Sequence, residues 1–125
     1  MSSVMIGRMA SDPLTHRSAG IALVAAVRED SGRILRANDE LAELLARPAA
    51  ALVGTSLCQH LHPDDQPRAL QALLRLLADP KTLYEDDNGR LVAANGREVR
   101  VHIVASVITT HTGPAIIVRV LGPSR

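Results

Sequence analysis

His60-Leu61-His62-Pro63-Asp64-Asp65 lies between Val53-Gly54 and a leucine-rich stretch ending at Ala78. Two histidines and two aspartates in six residues fit a metal site, an acid/base pair or the start of a helix. The helix start has a direct physical basis. Pro63 fixes φ near the helical value and lacks the N–H that a first turn leaves unsatisfied. Asp64 and Asp65 put negative charge at the positive end of the helix dipole, a solvent-facing effect of about 0.3–1 kcal/mol each. Downstream, Leu70, Leu73, Leu74 and Leu77 recur at helical spacing, with Arg68, Gln71 and Arg75 outside that stripe. Pro67 is tolerable only in the first turn of this helix, and Asp79-Pro80 closes it.

Upstream, the apolar run Gly20 to Val27 reads as a buried strand and Arg33 to Ala37 as its hairpin partner, joined by Glu29-Asp30-Ser31-Gly32. Asn38 is placed as a helix N-cap. Leu41, Leu44 and Leu45 share a face of the helix that follows, which Arg47-Pro48 ends. A short apolar segment runs from Ala49 to Val53. After the long helix, Leu91 to Ala94 and Glu98 to Ile108 flank Asn95-Gly96, a pair suited to a type I′ hairpin because both central residues need φ > 0. The second of these strands alternates, with Val99, Val101, Ile103, Ala105 and Val107 on one face. Gly113-Pro114 leads into a last strand, Ala115 to Leu121. Val104, Ile108, Ile117 and Leu121 fall out of phase with the core set, so the second sheet face needs its own cover.

At 125 residues the chain is one domain's worth, and 46% hydrophobic residues favour folding over disorder. Tyr84 is the single aromatic residue, so the core must be aliphatic and stacking surfaces for flavins or nucleobases are missing. A net charge of +1 with dispersed arginines gives no footprint for nucleic acid or an anionic membrane. A lone Cys58 and no apolar run of about 20 residues point to a cytoplasmic location. The dominance of Arg over the single Lys81 suggests a bacterial source. The expected class is α+β: a five-stranded antiparallel sheet with short helices packed on one face and an N-terminal flanking segment.

Certain residues carry a resemblance to PAS domains. Gly20-Ile-Ala-Leu-Val and Gly32-Arg-Ile-Leu-Arg-Ala-Asn38 resemble the family's opening hairpin and the Asn that starts its first helix. Leu52-Val53-Gly54-Thr55-Ser56-Leu57, followed by His62-Pro63-Asp64-Asp65, is similar to its short-helix region and long-helix start. Asn95-Gly96-Arg97 and the strand after it resemble its late hairpin. The resemblance covers residues 14–122, leaving 1–13 as a flanking segment and 123–125 as a tail. It implies a sensory or protein-interaction module that homodimerises and regulates an output domain, in cis or on a partner protein. Met5 and Met9 with Val104, Ile108, Ile117 and Leu121 are the expected dimer contacts. A ligand pocket between helices and sheet would be lined by Leu23, Leu41, Leu45, Leu57, Leu70, Leu73, Leu74, Val101, Ile103 and Ile116. Lacking aromatics, it suits a small apolar molecule, unless those side chains simply fill a core.

Other chemistries fit less well. His60-x-His62-x-Asp64 partly matches the metal-binding run of metallo-β-lactamase-like hydrolases, but Asp65 stands where the last His belongs, and no zinc site is expected. Haem needs an axial ligand facing an apolar pocket, which His60 or His62 would have to supply. Cys58 in Ser56-Leu57-Cys58-Gln59 does not match the family's flavin-reactive motif and reads as a small buried hydrophobe. Glu85, Asp86 and Asp87 read as a solvated loop. The expectation is a non-enzymatic protein with no required cofactor. The alternatives are a haem sensor using His60 or His62, and a small α+β enzyme with a His62/Asp64 acid–base pair.

Overall fold

The computed structural model describes residues 19–26 and 32–121. Strands β1 (Gly20–Ala25) and β2 (Ile34–Ala37) precede two short helices, α1 (Asp39–Leu45) and α2 (Ala49–Leu52). Two 3₁₀ turns, Leu57–His60 and Pro63–Asp65, lead into the long helix α3 (Gln66–Ala78). Strands β3 (Leu83–Val92), β4 (Glu98–Thr110) and β5 (Gly113–Leu121) complete the chain. The five strands form one antiparallel sheet in the order β2-β1-β5-β4-β3, with the helices on one face. This is the α+β arrangement expected from the sequence. Met5, Met9, the 1–13 flank, most of the Glu29–Gly32 turn and the 123–125 tail lie outside the described residues.

Asn38 ties the first strand to the first helix. Its Oδ1 accepts the N–H of Leu41 at 3.0 Å, the expected N-cap bond, and also the N–H of Ile21 at 2.8 Å. Its Nδ2 donates to Ala19 O at 3.0 Å. One amide therefore satisfies backbone groups on both elements. α1 stops at Ala46, whose φ of 56° turns the chain left-handed ahead of Pro48.

The buried centre of the inner sheet face is aliphatic. Ala22 and Val24 of β1, Ile116, Val118 and Val120 of β5, and Val101 and Ala105 of β4 pack with Leu41, Leu45, Leu52, Leu73, Leu76 and Leu91. Strand parity corrects one assignment: Leu23, between the fully buried Ala22 and Val24, faces the other side and pairs with Ile117.

The helix stripe is also corrected. α3 buries Leu73 and Leu76, with Ala69 and Leu77 half-buried, while Leu70 is 46% and Leu74 37% exposed. Five leucines in eight residues permit two stripes. Packing selects the one that includes Ala69, a side chain small enough for the helix to approach the sheet.

The acidic run Glu85-Asp86-Asp87 is not a loop. It lies inside β3, which begins eight residues before the expected Leu91 and absorbs a bulge between Asp86 and Gly89. A Cβ on Gly89 would approach Ile103 Cδ1 to 2.7 Å, so the side chain is missing where the bulge meets the core. The β3–β4 turn is also not type I′. Only Gly96 has positive φ (84°), and bonds from Gly96 N to Ala93 O and from Ala93 N to Arg97 O define a three-residue loop with Gly96 in the left-handed position. Asn95 instead accepts the Arg97 N–H through Oδ1 at 3.0 Å, which a left-handed Asn95 is not needed to do.

Asn38→Ala should lower the urea-unfolding free energy by about 1–3 kcal/mol, since it removes the cap and strands buried partners. Asn38→Asp, which keeps both accepted bonds, should cost less; equal losses would contradict the assigned double role.

Candidate functional site

The site is a cavity of about 50 Å³ beneath α3. Its floor is the inner face of β4 and β5: Ile103, Ala105, Val118 and Val120. Leu57 and Leu61 from the turns, Leu73 and Leu76 from α3, and Leu91 from β3 form the walls. The polar groups at its rim are Asp65, Tyr84 and Asp86, with Cys58 beside them.

The rim is held by charge pairing. Asp65, 4% exposed, accepts Arg90 Nη2 on Oδ1 at 2.8 Å and Arg90 Nε on Oδ2 at 3.2 Å. The Arg90 hydrogen bonds hold its carboxyl below the ordinary carboxylate range, against the opposing effect of burial. The Arg68 guanidinium stands 3.6 Å from Asp65 and bonds Asp86 Oδ2 at 2.8 Å. The Tyr84 hydroxyl donates to the same oxygen at 3.2 Å. Burial pushes Asp86 up, but the Asn88 N–H, Arg68 and Tyr84 together hold it below the ordinary range. Burial keeps the Tyr84 phenol protonated, as its donor role requires. Both carboxylates are thus occupied by partners, and the cavity presents hydrocarbon to any occupant.

Asp65 therefore does more than charge a helix start. Its partner, Arg90, comes from β3 and lies 25 positions away in sequence, where no local pattern announces it. The neighbouring residues do cap the helix. His62 Nδ1 accepts the Asp64 N–H at 3.1 Å, which leaves Nε2–H directed at Glu98 Oε2, 3.4 Å away.

Of the expected lining residues, Leu57, Leu73 and Ile103 border the cavity. Leu41, Leu45, Val101 and Ile116 are buried in the packed core beside it, Leu23 is on the opposite sheet face, and Leu70 and Leu74 are exposed on α3. The wall residues Leu61, Leu76 and Leu91, the floor residues Ala105, Val118 and Val120, and Gly89 were missed. Leu61 lies in an isolated bridge and Gly89 in the bulge, so neither sits in a regular periodic pattern.

The two alternatives lose their geometric support. His60 is 3% exposed, but it does not border the cavity. The Thr55 hydroxyl donates to Leu52 O at 2.7 Å, so its oxygen accepts from His60 Nε2 at 2.9 Å, and that nitrogen is not free to ligate haem. Burial and the Arg47 charge lower the His60 pKa. His62 is committed to its cap and does not border the cavity beneath α3, while the Asp64 side chain is 78% exposed. Cys58 has its thiol pushed up by burial, which opposes nucleophilic use. Among the described residues, no cluster of three or more His, Cys, Asp or Glu could hold a metal ion.

On the outer sheet face, Val104 lies between Glu85 and Arg119, and Ile117 between Leu23 and Ser106. Ile108 and Leu121 share that face, and all four are half-buried. His102 Nε2 lies 2.7 Å from Glu85 Oε2 at its margin.

A family model described as the PAS fold matches residues 34–121. A sequence search of curated proteins finds no match. Among solved structures, the chain is similar to the PAS domain of an HTR-like protein from Haloarcula marismortui, at 14% identity and a TM-score of 0.67 over 84% of this chain and 81% of that one. It is similar to the PAS-B domain of Cycle from Drosophila melanogaster with bound ethylene glycol, at 11% identity and a TM-score of 0.70 over 83% and 99%. It is also similar to the PAS domain of nitrogen regulation protein NR(II) from Vibrio parahaemolyticus, at 19% identity and a TM-score of 0.59 over 91% and 100%.

Two outcomes follow from the rim and from His60. Asp65→Asn should destabilise the fold by about 1–3 kcal/mol, because Arg90 loses its charged acceptor at a buried site. A neutral result in thermal unfolding would demote the pair. Because the folded-state pKa of His60 is lowered, the unfolded chain binds its proton first as pH falls. Stability is then complete above 6.5 and declines as pH drops from there to the lowered value, a decline that begins above that of Asp65 and Asp86. In His60→Asn this loss should be absent, as read from melting temperatures across pH 7 to 5.

Proposed function

We propose that this chain, which belongs to the PAS-fold family, is a non-enzymatic sensory and protein-interaction module of a bacterial signalling protein. It works in the cytoplasm, binds a small apolar molecule beneath α3 and homodimerises through its outer sheet face. Occupancy of the cavity would then bias the dimer and, through it, an output domain in cis or on a partner protein.

The hydrocarbon-lined cavity is the observation that carries this reading. A water needs roughly 10–15 Å³ of such volume and also polar partners. The space beneath α3 is several times larger, while its rim carboxylates are already paired. A small apolar guest gains contacts there that water cannot replace. A haem or a flavin would require the helix to move away from the sheet.

The outer face supports self-association. Leu23, Val104, Ile108, Ile117 and Leu121 make a half-buried apolar surface on the sheet face opposite the helices. A sheet with both faces apolar is covered twice in a stable protein, and among the described residues the helices cover only one side.

Each part has its own readout. Xenon or benzene should perturb the methyl NMR signals of Leu73, Ile103 and Val118 at millimolar concentration, and Ala105→Leu, which fills the floor, should abolish the effect. Persistence of the shifts in that variant would place the ligand elsewhere. For association, light scattering should give twice the chain mass, and Ile117→Arg should return a folded monomer. A concentration-independent monomer in the unmodified chain would exclude the dimer.

A further inference from the structure

The edge of β3 is used unevenly. β3 is the last strand of the sheet, so one row of its backbone groups points away from β4. At its far end that row is engaged: His62 N donates to Arg90 O, and Leu61 bridges Leu91. Between Leu83 and Asp86, no backbone bond to another segment covers it among the described residues.

Beside this open half lies a groove of about 340 Å³, bounded by α3 and adjoining the apolar cavity through Ala72, Leu76 and Tyr84. Its helix wall is basic and polar: Arg68, Gln71 and Arg75, with Ala72 at the base. Arg68 is already bonded to Asp86, but Arg75 makes no ion pair among the described residues. The strand wall carries the opposite charge on its other side, where the Glu85 carboxylate lies 2.7 Å from His102 Nε2. Leu83, 62% exposed, stands at the mouth.

We propose that this groove accepts an extended peptide that adds a strand to the free edge of β3. The peptide alternates acidic residues with basic or hydroxyl ones. An incoming strand turns successive side chains to opposite faces. Those toward α3 meet Arg75, with the Arg68–Asp86 pair two helical turns away, about 10.5 Å along the axis. Those toward the outer face meet the Glu85 carboxylate beside His102 and must not be acidic. Main-chain bonds to β3 supply affinity, and the alternation supplies selectivity. The Leu61–Leu91 bridge already shows this edge accepting a second segment in the same chain.

The test uses the full chain and a fluorescein-labelled Lys-Glu-Thr-Glu-Lys-Glu-Thr peptide in fluorescence anisotropy, beside a scrambled peptide of the same composition, Lys-Lys-Thr-Thr-Glu-Glu-Glu. The alternating peptide should bind more tightly, weaken as salt is raised and shift the amide NMR signals of Leu83 to Asp86. Arg75→Glu should weaken it about tenfold and Gln71→Lys should strengthen it, both on exposed helix positions that leave the far-UV dichroism unchanged. Equal affinity of the scrambled peptide, full competition by free succinate, or amide shifts absent from Leu83 to Asp86 would each overturn the proposal. So would no binding at millimolar peptide.

Discussion

A carboxylate does not stay charged out of water without partners, and Asp65 is nearly out of water. Its two oxygens receive the Arg90 fork, with Arg68 close by, so the start of α3 is held to β3 by a charge-assisted, bidentate contact. Much of the site hangs on that contact. It fixes where α3 leaves the sheet, and it brings Arg68 to Asp86 and thence to Tyr84. By saturating the acids at the rim, it leaves the space behind them apolar. Removal of one partner would leave the other uncompensated at a buried site, the expensive way to lose an ion pair.

An aliphatic core explains the rest of the arrangement. With Tyr84 as the only aromatic residue, the space between helix and sheet is filled by branched and small side chains. Ala69 and Ala72 bring α3 close to the sheet, while Ala105 and Gly89 thin the opposite wall. Aliphatic groups of limited reach leave a gap that a Phe or Trp would have filled. The cavity is thus a consequence of composition as well as of topology. The same sheet carries a half-buried apolar outer face and an unfilled edge, so one layer offers an internal space, a face and an edge.

Sequence reasoning did well where a signal was local or periodic. Asn38 was legible as a cap, Pro63 and Pro67 marked the helix start, and the alternation of β4 separated Val101 and Ala105 from Val104 and Ile108. It failed where two local solutions were equally good. The leucines of α3 supported two stripes, and a three-acid run resembled a loop although a bulged edge strand tolerates it. Asn95-Gly96 favoured one hairpin turn, but a G1-type loop needs left-handed φ only at the glycine. Leu23 went to the wrong face because an unbroken apolar run has no alternation from which to read parity.

The sequence by itself determined the class of fold, the order of its elements, the aliphatic character of its interior and the presence of an apolar second sheet face. These follow from composition and from backbone periods that act over a few residues. Tertiary structure alone decided the pairing of Asp65 with Arg90, the rotation of α3, the engagement of His60 with Thr55 and the position of the cavity. Each depends on which distant groups meet when the chain closes on itself. Burial makes those encounters energetically consequential, because a polar group without its partner is costly only after water has been removed.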